Sequence, residues 1–141
     1  MLYIPEKIKK IVDNQIYTRN EIEMSKSDVL IFSKYVLKIQ KHTVETDNER
    51  DIAAWLNGRI SVPQILEYCV ENETAYTLMT RVNGKMLCDE EFLSNFAKMI
   101  RYVSEGIKQL WNVNVDDCPQ KVSRLDERLK EARRNVEKWF G

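Results

Sequence analysis

The chain has 141 residues, 43% hydrophobic and 31% charged, with 22 Lys+Arg against 22 Asp+Glu and so no formal net charge. That length suits one ordinary domain or one and a fraction, and the composition, with only 4 Gly and 3 Pro, excludes disordered, collagen-like and low-complexity classes. Balanced charge gives no electrostatic reason to expect nucleic acid or an anionic membrane as partner.

Ile4, Ile8, Ile11 and Val12 recur at helical spacing around Pro5, which predicts a short N-terminal helix. After a polar stretch, Ser25-Lys26-Ser27-Asp28 reads as a turn. Val29–Phe32 and Tyr35–Ile39 are β-branched and aromatic runs joined by Ser33-Lys34. They form a hairpin signal, although no Asn-Gly or Asp-Gly marks the turn. Lys41 to Asp47 reads as a loop. A helix then runs from Asn48 to Leu56, with Ile52, Ala53 and Leu56 as its apolar stripe and Asn57-Gly58 as its stop. Val62-Pro63 marks an extended segment. Ile65–Val70 and Ala75–Met79 read as two strands turning at Glu71-Asn72-Glu73-Thr74, and Asn83-Gly84 is a second turn signal.

From Asp89 the period changes. Phe92, Phe96, Met99, Ile100, Val103, Ile107, Leu110 and Trp111 make one long helical stripe with Asp89 as its N-cap. Asp116-Asp117-Cys118-Pro119 breaks it. Leu125, Leu129, Ala132, Val136, Trp139 and Phe140 make a final stripe, with Ser123 as a possible cap and Asp126 to Lys130 as a supporting pair. No internal repeat is visible. The order of elements predicts an α+β layout with an antiparallel sheet. The last apolar stripe has nothing downstream to pack against, which raises the expectation of a missing portion.

No run approaches the roughly 20 apolar residues that cross a bilayer, and the first ten residues mix charged and apolar side chains too early for a signal peptide. Cys69, Cys88 and Cys118 are odd in number and widely spaced. They read as three reduced thiols of a cytoplasmic protein, neither a disulfide framework nor a metal set. His42 is the single histidine and makes a poor zinc case.

One pair carries chemistry. On a strand, Val36, Lys38 and Gln40 share one face while Tyr35, Leu37 and Ile39 share the other. Lys38 alone could be an ordinary solvated residue of an open sheet face. Glu49, however, stands four residues before Ala53 and seven before Leu56, so its carboxylate begins the inward stripe of its helix. An inward carboxylate is costly unless paired, and the economical partner is a strand Lys. A strand Lys held by a helix Glu is the device with which kinase-like folds place an ammonium on nucleotide phosphates. A Glu favoured by the N-terminal helix dipole is the competing reading. Spacing alone leaves both open.

The ordered set Met24-Ser25-Lys26-Ser27-Asp28-Val29, Val36-Leu37-Lys38-Ile39, Asn48-Glu49-Arg50-Asp51-Ile52-Ala53-Ala54-Trp55-Leu56, Val62-Pro63 and Leu78-Met79-Thr80-Arg81-Val82-Asn83-Gly84 resembles the N-terminal lobe of the aminoglycoside 3'-phosphotransferases, the kanamycin kinases. Asp116-Asp117-Cys118-Pro119 and Ser123–Leu129 resemble the segment that follows in that family. The resemblance implies a protein-kinase-like N-lobe over residues 1–82, with an antiparallel sheet and a packed helix. Residues 83–141 would be the linker and first two helices of a C-lobe, ending before the catalytic loop. By the same resemblance Lys38 would contact the α- and β-phosphates of ATP and Glu49 would orient it. Ser25 and Ser27 would lie in the turn over the phosphates. Met79 would line the adenine pocket, Val36 would offer it an apolar face, and Thr80 and Val82 would present backbone groups to the adenine edge. Core packing is the ordinary alternative for Met79 and Val36.

Phosphoryl transfer also needs a positioning Asp and ligands for Mg²⁺. In the family these lie in a His-Gly-Asp…Asn loop and an Asp-x-Gly motif, and neither motif occurs here; His42 is followed by Thr43. The expectation is therefore an ATP-dependent phosphotransferase of aminoglycoside hydroxyls, a resistance enzyme, represented by its nucleotide side and inactive alone. Mg²⁺ ligands and the aminoglycoside site are expected outside this chain. Two alternatives stay open: a kinase of another small hydroxyl compound, and a non-enzymatic interaction module whose exposed apolar helix serves self-association. Nucleic-acid and membrane partners are not expected.

Overall fold

The computed structural model describes residues 2–13, 15–19, 27–119 and 124–140. Ser25, the rest of the turn before Ser27, and Ser123 lie outside these residues. The described elements are α1 (Glu6–Val12), β1 (Thr18–Arg19), β2 (Asp28–Ile31), β3 (Tyr35–Lys41), α2 (Val44–Leu56), β4 (Ile65–Glu71), β5 (Thr74–Thr80), α3 (Glu90–Leu93), α4 (Phe96–Trp111) and α5 (Arg124–Phe140). The five strands form one antiparallel sheet in the order β1-β2-β3-β5-β4, so the chain is α+β.

Alternation in β3 divides the sheet into two faces. Leu37 and Ile39, with Leu30 and Phe32 from the β2 side and Tyr76 and Leu78 from β5, bury one face against Ile4, Ile8 and Val12 of the N-terminal segment and α1. This is the hydrophobic core. Val36, Lys38 and Gln40 occupy the other face, where Val36 lies opposite Met79 and Lys38 opposite Thr77. The β4–β5 hairpin turns through Asn72 and Glu73, both at positive φ (49° and 58°), as a two-residue hairpin of right-handed strands requires.

Four sequence expectations are corrected. The segment read as a loop up to Asp47 already contains the first turn of α2, which begins at Val44. The Thr43 N–H donates to Thr46 Oγ1 (3.1 Å), and the Thr46 hydroxyl donates to the Thr43 carbonyl (2.8 Å), so a Thr-x-x-Thr pair does the capping. The long stripe after Asp89 is two helices. Asn95 interrupts it and caps α4, accepting the Lys98 N–H at 3.0 Å, because its side chain offers the backbone a better-satisfied start than continuation would. Asn83-Gly84 forms no turn within the irregular stretch 81–86. Finally, the polar stretch after α1 supplies the edge strand β1, tied to β2 by an Arg19–Asp28 ion pair.

α2 ends where expected: Arg59 and Ile60 N–H groups close on the Leu56 carbonyl, and Gly58 takes φ 81°, a left-handed conformation that glycine accepts without a Cβ penalty. α4 is strongly amphipathic, yet Phe96, Ile100, Val103, Ile107 and Trp111 are all exposed. Lys85, before α3, and Lys98, in α4, donate to Glu91 of α3 and hold its carboxyl down at about 2. No helix among the described residues is long and apolar enough to cross a membrane.

Candidate functional site

α2 lies across the polar face of the sheet without packing tightly onto it. Thr46 is its one buried residue among those described. Polar contacts hold the helix at its N-terminal half. Asp47 accepts from the Tyr68 hydroxyl on β4 (2.8 Å) and sits 3.0 Å from His42 Nε2, while the Arg50 guanidinium lies over the Tyr68 ring at 4.7 Å. The Tyr68 and His42 hydrogen bonds hold the Asp47 carboxyl below its ordinary range, whereas burial pushes the Tyr68 phenol up.

A carboxylate depressed in the folded state stabilises the fold above its unfolded pKa, roughly 4. That contribution is lost as the pH falls through the lower folded value. Tyr68→Phe removes the largest cause of the shift. It should cost about 1 kcal/mol near neutrality, the usual net worth of one hydrogen bond, and shrink the drop in urea midpoint between pH 6 and pH 3. An unchanged acid limb in the variant would show that Asp47 is not seated by Tyr68.

Between α2, β3 and β5 opens a cleft of about 320 Å³, within the size range of small-molecule sites. Lys38 and Glu49 stand at its polar side. Leu56, Val62, Pro63, Ile65 and Met79 line the apolar remainder. Lys38 Nζ donates to both Glu49 carboxylate oxygens at 2.9 Å, and Gln40 Nε2 donates to Glu49 Oε2 at 3.0 Å. Two of the three ammonium N–H donors point to Glu49, which leaves a third for a ligand in the cleft. Register separates Lys38 from the Val36–Met79 pair by two residues, roughly 7 Å along the strand. A ligand with an anionic end and a flat apolar end matches that layout.

The structure thus brings Lys38 and Glu49 together, but not as an inward carboxylate on a packed helix. Glu49 is 57% exposed and Lys38 26%. The physical reason is that α2 stands off the sheet over the cleft, so both groups keep contact with water. An ion pair of this kind contributes little to stability, and its geometry is what it offers. Val36 lies opposite Met79 beside the cleft. Ser27 is half-buried immediately before β2, and Val82 is exposed. The Thr80 N–H already donates to the Gln64 carbonyl at 2.9 Å, so of the two Thr80 backbone groups the carbonyl is the one left for a ligand. Among the described residues no three His, Cys, Asp or Glu side chains converge as a metal site.

Sequence reasoning passed over three contributors. Gln40 was legible as a face-mate of Lys38, but its bond to Glu49 was not. Ile65 and the 62–63 segment wall the cleft through long-range folding alone. Asp117, read as part of a helix-breaking turn and of the segment that resembles the family's continuation, accepts from the Trp55 indole N–H (3.0 Å) and from Arg59 (2.8 Å), joining the end of α2 to the turn after α4.

Comparison with known proteins gives a consistent answer. No family model matches the chain. It is 32% identical over 91 residues to an aminoglycoside 3'-phosphotransferase of Enterococcus faecalis, covering 63% of this chain and 34% of that protein. It is 29% identical over 93 residues to one of Campylobacter jejuni (66% and 36%), and 24% identical over 144 aligned positions to one of Acinetobacter baumannii (92% and 52%). The chain spans between about a third and half the length of these curated relatives. The resemblance read from the sequence therefore holds over most of the chain.

Proposed function

We propose, from the kinship of this chain with the aminoglycoside 3'-phosphotransferases, that it is the nucleotide side of an ATP-dependent kinase acting on an aminoglycoside hydroxyl. The observation that carries the reading is the Lys38–Glu49 pair at the mouth of a part-apolar cleft. Residues 1–82 act as a kinase-like N-lobe, and residues 83–141 as the linker and first helices of a C-lobe.

ATP supplies the phosphoryl group in this reading. The Lys38 ammonium binds the α- and β-phosphates, with Glu49 fixing its direction, so that a charge-assisted contact is aimed before the nucleotide arrives. Met79, with Val36 beside it, meets the base through apolar contact, the Thr80 carbonyl and Val82 N–H face the base edge, and Ser27 lies toward the phosphates. The residues present fit a nucleotide. They do not fit Mg²⁺ by themselves, because Glu49 is the one carboxylate lining the cleft among the described residues and it is engaged by Lys38 and Gln40. Ligands for the metal, the base that positions the acceptor hydroxyl and the aminoglycoside site are assigned to residues beyond this chain. The same holds for whatever covers the apolar face of α4. A cytoplasmic location follows from the same reading.

The test is to incubate the purified 141-residue chain with Mg·ATP and kanamycin. Saturable nucleotide binding with no phosphate delivered to kanamycin is expected. Phosphate transfer, or the absence of saturable binding, would overturn the proposal.

A further inference from the structure

We propose that Gln40 is a positioning residue for the nucleotide site, acting through Glu49; this rests on the reading of Lys38 as the phosphate contact. Gln40 and Lys38 are two residues apart on β3 and therefore project from the same face. Both reach one carboxylate: Lys38 Nζ bonds both oxygens, and Gln40 Nε2 bonds Oε2 at 3.0 Å.

The need for a second donor follows from exposure. Glu49 is more than half exposed, and a single ion pair in such a setting holds two long side chains in one geometry only weakly. A carboxylate gripped by one ammonium can swing about its χ angles and carry the ammonium with it. A second, directional bond from the strand removes that freedom. The chemistry of the amide suits the task. Its NH₂ end donates, which a carboxylate requires, and it adds no charge, so it neither competes with Glu49 for Lys38 nor repels an incoming phosphate. Gln40 thus keeps the ammonium aimed along the cleft without touching the nucleotide.

A double-mutant cycle on the full 141-residue chain tests this, with Mg·ATP affinity as the readout. Gln40→Leu is expected to weaken binding about threefold to tenfold in the wild-type background and to have no effect in a Glu49→Ala background, because the residue through which it acts is gone. A purely structural loss would appear equally in both backgrounds. Gln40→Glu supplies a second readout. Protonated, the new carboxyl can still donate to Glu49, and ionised it cannot. With an ordinary Glu pKa of about 4.3 the new carboxyl is ionised at about pH 7, so Gln40→Glu should bind Mg·ATP more weakly there than Gln40→Leu, because it loses the bond and also repels Glu49. The proposal is overturned if Gln40→Leu binds as wild type does, or costs the same with and without Glu49. Lys38→Met separates the two levels of the argument. If it binds Mg·ATP as tightly as wild type, the phosphate reading fails; if it loses affinity while the Gln40 cycle is flat, only the Gln40 inference fails.

Discussion

Leu78→Ala should destabilise the fold by about 2–5 kcal/mol, the range for truncating a fully buried aliphatic side chain in a core that cannot collapse around the gap. Leu78 is completely buried. It sits on β5 between Leu37 of β3 and the bulged strand β4, in the cluster that α1 closes through Ile8. Strands on both sides fix its backbone, so the neighbours have little room to move inward. The lost contacts belong to the one layer between sheet and helix that the described residues form. Urea unfolding should show a lower midpoint with an unchanged slope, the signature of lost stability and not of an altered unfolded state. A loss below about 1 kcal/mol, half the lower bound for such truncations, would mean that α1 does not close this face as described.

Much of this layer is legible in the sequence. Tyr35–Ile39 is an apolar run broken only by Lys38; Ile4, Ile8 and Val12 recur at helical spacing; and Asn57-Gly58 punctuates α2. Each of these signals is local, and local chemistry decides it. The features that escape reading depend on partners far away in the chain. The exposure of Glu49 is set by how far α2 stands from the sheet, which Tyr68 and Asp47 fix from 21 residues apart. The Trp55–Asp117 bond spans 62 residues, and no spacing rule reaches that far. The break at Asn95 is hidden for a different reason: the apolar stripe keeps its phase across it, so periodicity sees one helix where capping makes two. β1 is two residues long, too short to show alternation at all. At the site itself, the face shared by Val36, Lys38 and Gln40 could be read from period two. Charge named Lys38 as the partner of Glu49; that Gln40 would reach the same carboxylate could not be read, because nothing local sets how far α2 stands from the sheet.

In the proposed function the Lys38 ammonium is aimed at phosphate and not merely paired on a surface. Lys38→Met keeps the aliphatic stem and removes the charge, which isolates that role. A charge-assisted hydrogen bond is worth about 1.5–3 kcal/mol, so losing it should weaken nucleotide binding by roughly 10-fold to 100-fold. Stability should change by less than about 1 kcal/mol, because the pair with Glu49 is half in water. Equilibrium titration of wild type and Lys38→Met with Mg·ATP, at the same ionic strength, measures this directly. The expected result is an affinity at least about tenfold weaker in the variant with an unfolding midpoint close to wild type. Superimposable binding curves for the two proteins would contradict it.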